Sequence, residues 1–308
     1  VLFRSIKDVI PNPSIGVVYG NSGTGKSAII IELCNQILNN TNHVHVIYID
    51  ADMSPNKLKQ IGIAELIKKH KERFVYAGKQ VANIVAKTQD FLNEIIELQN
   101  KCSTKKYLLV EDSLTLLSPK KNGFVDTELL YKHEKQIREA GGSVILIHHL
   151  NKNGIFADSQ KIEDFADYTF LVERNDFNNC ILLNPQKRSR FDIKEKAYQT
   201  ENRKIIAEID FNMANISYSE SNFIKIIIDL LQDGDEMNQS EIIKYLKQSS
   251  YFSKYGVGEK KVINWLEKWA KAEKWKCEQR ASEKNAKYYF LIQTEKLTKL
   301  PNYNKKEI

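Results

Sequence analysis

The sequence has no two cysteines placed to act together. Cys34, Cys102, Cys180 and Cys277 stand apart and none belongs to a Cys-x-x-Cys pair, so neither a zinc site nor a disulfide framework is indicated. Cys34 and Cys180 fall in apolar periodic segments and read as small core residues, a usage that suits a reducing cytoplasm. No apolar run approaches the ~20 residues of a membrane span. The opening Val1-Leu2-Phe3-Arg4-Ser5 lacks both the apolar stretch of a signal peptide and a Met. The expectation is a cytoplasmic chain that is an excerpt or a processed form. No internal repeat is visible, which argues against a solenoid or propeller. What is present is ordinary globular material. The 308 residues are 42 % hydrophobic, enough for about two domains and a full-sized core. A net charge of +7 permits an anionic partner without requiring one.

Between residues 14 and 210, short β-rich runs alternate with helical patterns. Strands are predicted at Gly16–Tyr19, His45–Asp50, Tyr107–Glu111 and Ser143–His148. Helices are predicted at Lys26–Leu38, Lys57–His70, Gln89–Lys101 (with Thr88 as N-cap) and Thr127–Glu139. Such alternation implies an α/β fold, a parallel sheet with helices on its faces, and the nearly all-apolar strands fit a buried parallel sheet. Tyr168–Glu173, Cys180–Asn184 and Ile205–Asp210 then follow, the first two joined by a turn instead of a helix, which predicts an antiparallel extension. Composition shifts near Ser217–Ser221. The predicted domains are therefore 1–217 and 218–308. From residue 221 onward 17 Lys and Arg stand against 12 Asp and Glu, a surplus of five.

Gly20-Asn21-Ser22-Gly23-Thr24-Gly25-Lys26-Ser27 fits G-x-x-x-x-G-K-[ST]. An apolar strand enters this loop and Ala28-Ile29-Ile30-Ile31 leaves it as a helix. Glycines let successive N–H groups turn inward around phosphate oxygens, and the helix adds its free N–H groups and positive dipole end. Lys26 neutralises β/γ-phosphate charge and the Ser27 hydroxyl ligates Mg²⁺. The implied ligand is a nucleoside triphosphate, ATP by default, with Mg²⁺. Tyr107–Glu111 ends in two carboxylates, Glu111 and Asp112. Asp112 is the candidate metal contact of a Walker B strand. For the group that polarises water, Asp52 and Asp50 end the preceding strand, and ligands bind outside the carboxyl ends of such strands. Glu111 is the rival, although strand alternation points it away from Asp112.

The order of P-loop, Tyr48–Ser54, Val110–Leu117 and Val144-Ile145-Leu146-Ile147-His148-His149-Leu150-Asn151-Lys152 resembles the RecA-like ATPase core, in particular the plasmid RepA and DnaB type of hexameric replicative helicase. The resemblance covers about residues 14–215. It implies that Asp52 stands where that family has a catalytic Glu, and that His148 is the γ-phosphate sensor. It further implies that Lys187, Arg188 or Arg190, after the Asn184-Pro185 strand end, is an arginine finger reaching a neighbouring subunit's nucleotide in a homo-hexamer. It places the loops Ser118–Val125 (Lys120, Lys121, Phe124) and His149–Gln160 (Lys152) at a central channel, where lysines beside an aromatic suit single-stranded DNA.

The tail keeps helical spacing through Phe223, Ile226, Ile227, Leu230 and Leu231. Asn238 and Glu241 form a capping box for a second helix. A third carries Val262, Trp265, Leu266 and Trp269 on one face and Lys260, Asn264, Lys268 and Lys271 on the other. With strands at Trp275–Arg280 and Lys287–Ile292, a winged helix–turn–helix is predicted. Its third helix is the one offered to duplex DNA, and its tryptophans belong to the core. These features together predict an ATP-dependent DNA motor subunit, a hexameric replicative helicase of a plasmid, phage or mobile element, with replication proteins as partners and no membrane association. A recombination or repair ATPase, a P-loop regulatory switch with a DNA-binding tail, and a small-molecule kinase are the rivals.

Overall fold

The run after Ser14 is short, apolar and rich in β-branched residues, and such a run satisfies its backbone most readily inside a sheet. In the computed structural model, which describes residues 4–6, 10–78, 89–101, 104–150, 161–186, 191–232 and 236–291, it forms a fully buried strand, β3 (Ser14–Gly20), preceded by the small pair β1 (Arg4–Ile6) and β2 (Ile10–Pro11). There follow α1 (Lys26–Asn40), β4 (Val44–Asp50), α2 (Pro55–Ile61), α3 (Ile63–Lys69), β5 (Phe74–Ala77), α4 (Gln89–Lys101), β6 (Lys106–Asp112) and α5 (Leu114–Leu117). A hairpin, β7 (Lys120–Lys121) and β8 (Phe124–Val125), leads to α6 (Thr127–Glu139), β9 (Ser143–His149) and α7 (Lys161–Phe165). β10 (Tyr168–Asn175), β11 (Cys180–Pro185), β12 (Lys196–Glu201), β13 (Lys204–Ile209) and α8 (Phe211–Ala214) complete the first of two compact units, Val1–Asn215 and Ile216–Ile308.

Nine strands make one sheet in the order β13-β12-β11-β10-β3-β9-β6-β4-β5. From β10 to β5 every neighbouring pair is parallel, and β10 to β13 are antiparallel to one another. The mostly parallel α/β sheet with an antiparallel extension matches the expectation from the sequence. Because side chains alternate faces along a strand, each central strand feeds two cores. Val18, Val46, Val110, Ile145 and Ile147 pack with α1; Ile15, Val17, Leu109, Val144 and Leu146 pack with Leu130 and Ile137 of α6 and Ile162 of α7. The start of β3 is pinned by Asp167. Its Oδ2 accepts from the Ile15 N–H at 2.8 Å, and Arg138 Nη1 donates to both its oxygens at 2.8 and 2.9 Å.

Three local expectations are corrected. The single helix predicted at Lys57–His70 is two, α2 and α3, broken at Gly62, whose φ of 82° ends one helix and starts the next. β12 has no counterpart in the prediction, its pattern being too polar to announce a strand. Lys120–Val125 is a hairpin, not an irregular loop. Thr88 lies outside the described residues.

In the second unit α9 (Tyr218–Leu231), β14 (Met237–Asn238), α10 (Gln239–Gln248), α11 (Tyr251–Tyr255), α12 (Glu259–Lys271), β15 (Lys276–Arg280) and β16 (Ala286–Phe290) follow in order, with an antiparallel sheet β14-β16-β15. The Asn238–Glu241 capping box is present, both reciprocal bonds formed at 3.0 and 2.8 Å. Phe223, Ile227, Leu246, Val262, Leu266, Trp269 and Trp275 are all buried, so the tryptophans are core. Lys268 departs from the expected solvent-facing stripe. Its ammonium donates to Glu220 Oε1 at 2.8 Å, beside a second donor to the same oxygen, Trp269 Nε1 at 2.9 Å. A carboxylate this buried needs such donors to offset its desolvation. Lys260, Asn264 and Lys271 remain exposed.

Candidate nucleotide-binding site

β3 ends at Gly20 and α1 starts at Lys26, so the loop between them stands at the carboxyl edge of the sheet. Two glycines make that turn possible. A Cβ at Gly20 would collide with the Val172 carbonyl; one at Gly25, where φ is 98°, would collide with Ile181. The loop is thus wedged against β10 and β11 with the N–H groups of the first turn of α1 facing outward, the arrangement that binds phosphate.

Lys26 is 5 % exposed. Its ammonium donates to the Gly20 and Asn21 carbonyls, both at 2.9 Å, and stands 3.2 Å from His149 Nδ1. Burial pulls its pKa down to about 8, with Asp112 and Asp52 acting the other way. Ser27 Oγ donates to Asp112 Oδ2 at 2.6 Å, and the Tyr48 hydroxyl donates to the same oxygen at 2.8 Å. Burial pushes Asp112 up to about 6, partly offset by these two donors. The parallel register Asp50↔Asp112 and Asp112↔Ile147 holds the strand ends level.

The other acids take different parts. Asp50 is fully buried: Oδ1 accepts from the Asp52 and Met53 N–H groups, both at 2.9 Å, and Oδ2 from the Tyr76 hydroxyl at 2.7 Å. It shapes the turn and has little capacity left for a ligand. Asp52 is half-exposed and borders the cleft, 3.6 Å from His149 Nε2. Glu111 faces away from Asp112, as alternation predicts, and meets Glu134 of α6 in the opposite core.

The same alternation separates the two histidines that close β9. β9 runs to His149, and Val144, Leu146 and His148 share the face away from α1. His148 is fully buried there, its Nδ1 3.4 Å from Thr115 Oγ1. His149 is the histidine in the cleft. Burial, then the Lys26 charge, lowers its pKa, which favours the neutral ring. With Lys26 donating to Nδ1, the proton is assigned to Nε2, facing Asp52.

The cleft holds about 310 Å³ and is bordered by Ser22, Gly23, Gly25, Lys26, Ser27, Asp52, Asp112 and His149. Lys57 and Gln60 of α2, Arg174 of β10 and Arg203 of the β12–β13 turn also line it, none of them flagged by the sequence. Strand alternation was the available signal for His149; no local signal marks the other four, which come from elements that meet only in the fold. Lys120 and Lys121 are exposed on their hairpin beside Phe124, itself 68 % exposed. Lys152, Lys187, Arg188 and Arg190 lie outside the described residues.

Residues 4–154, which carry the loop and both acidic strands, match the family described as AAA domain. That segment carries a P-loop ATPase domain. No curated protein matches it. Among solved structures, the chain is similar to flagellar accessory protein FlaH from Methanocaldococcus jannaschii, with 17 % identity, 67 % of this chain and 94 % of that one covered, and a TM-score of 0.47. A KaiC-like protein from Pyrococcus horikoshii OT3 aligns with 14 % identity, coverage of 68 % and 100 %, and a TM-score of 0.48. A further ATPase domain aligns with 14 % identity, coverage of 63 % and 84 %, and a TM-score of 0.49. No helix among the described residues is long and apolar enough to cross a membrane.

Proposed function

We propose that this ATPase is a DNA motor subunit of the replicative-helicase type, from a plasmid, phage or other mobile element, working as a homo-oligomeric ring. The observation that carries this reading is the hairpin Lys120–Val125. It follows the acidic strand β6 by one short helix and presents two lysines and an aromatic ring to solvent. Charge to track phosphates and a ring to stack bases are what a single strand requires. The second unit supports it. Four helices, the third only five residues long, followed by a β-hairpin, with the last helix exposing Lys260, Asn264 and Lys271, read as a winged helix–turn–helix suited to duplex DNA.

For hydrolysis, Lys26 and the N–H groups at the start of α1 hold the phosphates. Ser27 and Asp112 offer hard oxygen ligands 2.6 Å apart. Such a pair suits Mg²⁺, a cation that takes one or two protein oxygens and fills the rest with phosphate and water. When bound, Mg²⁺ would neutralise charge on the β- and γ-phosphates. Asp52 is the base candidate, oriented by the Nε2–H of His149. Because His149 touches Lys26 with its other nitrogen, a γ-phosphate that draws Lys26 away also changes what holds Asp52 in place. The finger is expected from Lys187, Arg188 or Arg190 of a neighbouring copy.

The test is hydrolysis with and without single-stranded DNA, together with unwinding of a forked duplex. Single strands should raise turnover in the wild type. Changing Lys120, Lys121 and Phe124 to Ala should remove the stimulation while basal hydrolysis stays. Lys26→Ala should abolish both by removing the charge clamp. Hydrolysis indifferent to DNA would end the motor reading.

A further inference from the structure

Beside the phosphate loop and the acidic residues, the cleft is walled by Gln60 and Ile61, which close α2, together with Arg203 from the β12–β13 turn. α2 follows β4, and β4 and β12 lie on opposite sides of β3 in the sheet. The antiparallel extension therefore has to reach over α1 to meet α2, and β13 packs against both helices. Lys204 fixes that reach: its ammonium is 3.2 Å from Glu65 Oε1, and its stem runs past Gly62, where a Cβ would sit 3.5 Å away.

The turn itself is unusual. Glu201 pairs with Lys204, leaving a two-residue loop with Asn202 at φ 50° and Arg203 at φ 68°. Both central residues are left-handed, as in a type I′ turn, whose second position favours glycine. An arginine there is strained, and its side chain borders the cleft. Lys204 is held by Glu65, whereas Arg203 has no ion-pair partner among the described residues.

We infer that Arg203 clamps the base of the bound nucleotide, its guanidinium lying on the ring face against the wall formed by Gln60 and Ile61, and that the Gln60 amide favours adenine. A planar guanidinium stacks on π-systems, an apolar side chain covers the other ring face, and a Gln amide pairs with the adenine edge through two hydrogen bonds. The inference rests on the reading of the cleft as a nucleotide site.

Titration calorimetry on the full chain with ATP, GTP and inorganic tripolyphosphate, each with Mg²⁺, tests it. Arg203→Ala should weaken ATP about tenfold and leave tripolyphosphate unchanged. Arg203→Gly should weaken ATP equally while raising Tm, because glycine accepts the left-handed backbone. Gln60→Ala should narrow the gap between ATP and GTP. Equal loss of ATP and tripolyphosphate on removing Arg203 would make it a phosphate ligand and overturn the inference, as would unchanged ATP binding. A wild-type chain that binds neither ATP nor tripolyphosphate would sink the nucleotide reading itself, and this inference with it.

Discussion

Replacing Glu111 by Gln separates two accounts of the acid beside Asp112. Glu111 is 7 % exposed and Glu134, facing it, 1 %. Burial raises the Glu111 carboxyl from 4.5 to about 7, and Glu134 is raised further by burial and by Glu111. A folded pKa above the unfolded one means the folded chain holds an extra proton. The corresponding stability is complete below about pH 4.5 and is lost as pH rises through about 7. At ~1.4 kcal/mol per pKa unit, that shift amounts to about 3 kcal/mol for Glu111 alone. Glutamine copies the shape of the protonated acid and cannot ionise. Glu111→Gln should therefore match the wild type in urea unfolding at about pH 5 and exceed it by ~2–3 kcal/mol at about pH 8. ATP turnover at the higher pH should be unchanged, because the side chain points into the core away from the cleft. A turnover loss of ~10²-fold would make Glu111 the base, and a stability gap that does not widen with pH would refute the buried-acid argument.

The two histidines offer a sharp contrast: His149→Ala should lower turnover by ~10²-fold with nucleotide binding retained, whereas His148→Ala should act on thermal stability, and the reverse result would restore His148 as the sensor. In the tail, removing Lys260 and Lys271 together should lower the log–log salt slope of duplex binding by about two. Lys268→Met should leave that slope alone and lower the unfolding midpoint, since it strips a donor from buried Glu220; a slope change in Lys268→Met would return this lysine to the DNA-facing set.

Strand–helix alternation, the glycines and Lys26 of the loop, and the Asn238–Glu241 box are local features, and they announced the α/β core, the phosphate loop and the start of α10 without any knowledge of packing. The two-residue period of strands also placed Glu111 opposite Asp112. The period alone does not say which parity faces α1, so it could not show that His149 borders the cleft while His148 is buried on the other face. Burial and partners are likewise decided by the assembled molecule. Asp50 and Asp52 look alike in the chain, yet backbone N–H groups and Tyr76 take up the first and leave the second at the cleft. Lys268 shares its helix face with Lys260 and Lys271 until Glu220, 48 residues earlier, draws it inward. Gln60, Arg174 and Arg203 carry no motif because they come from three separate elements. The long parallel crossovers and the reach of β13 over α1 bring them to one cleft, and such nonlocal geometry has no spacing in the sequence to reveal it.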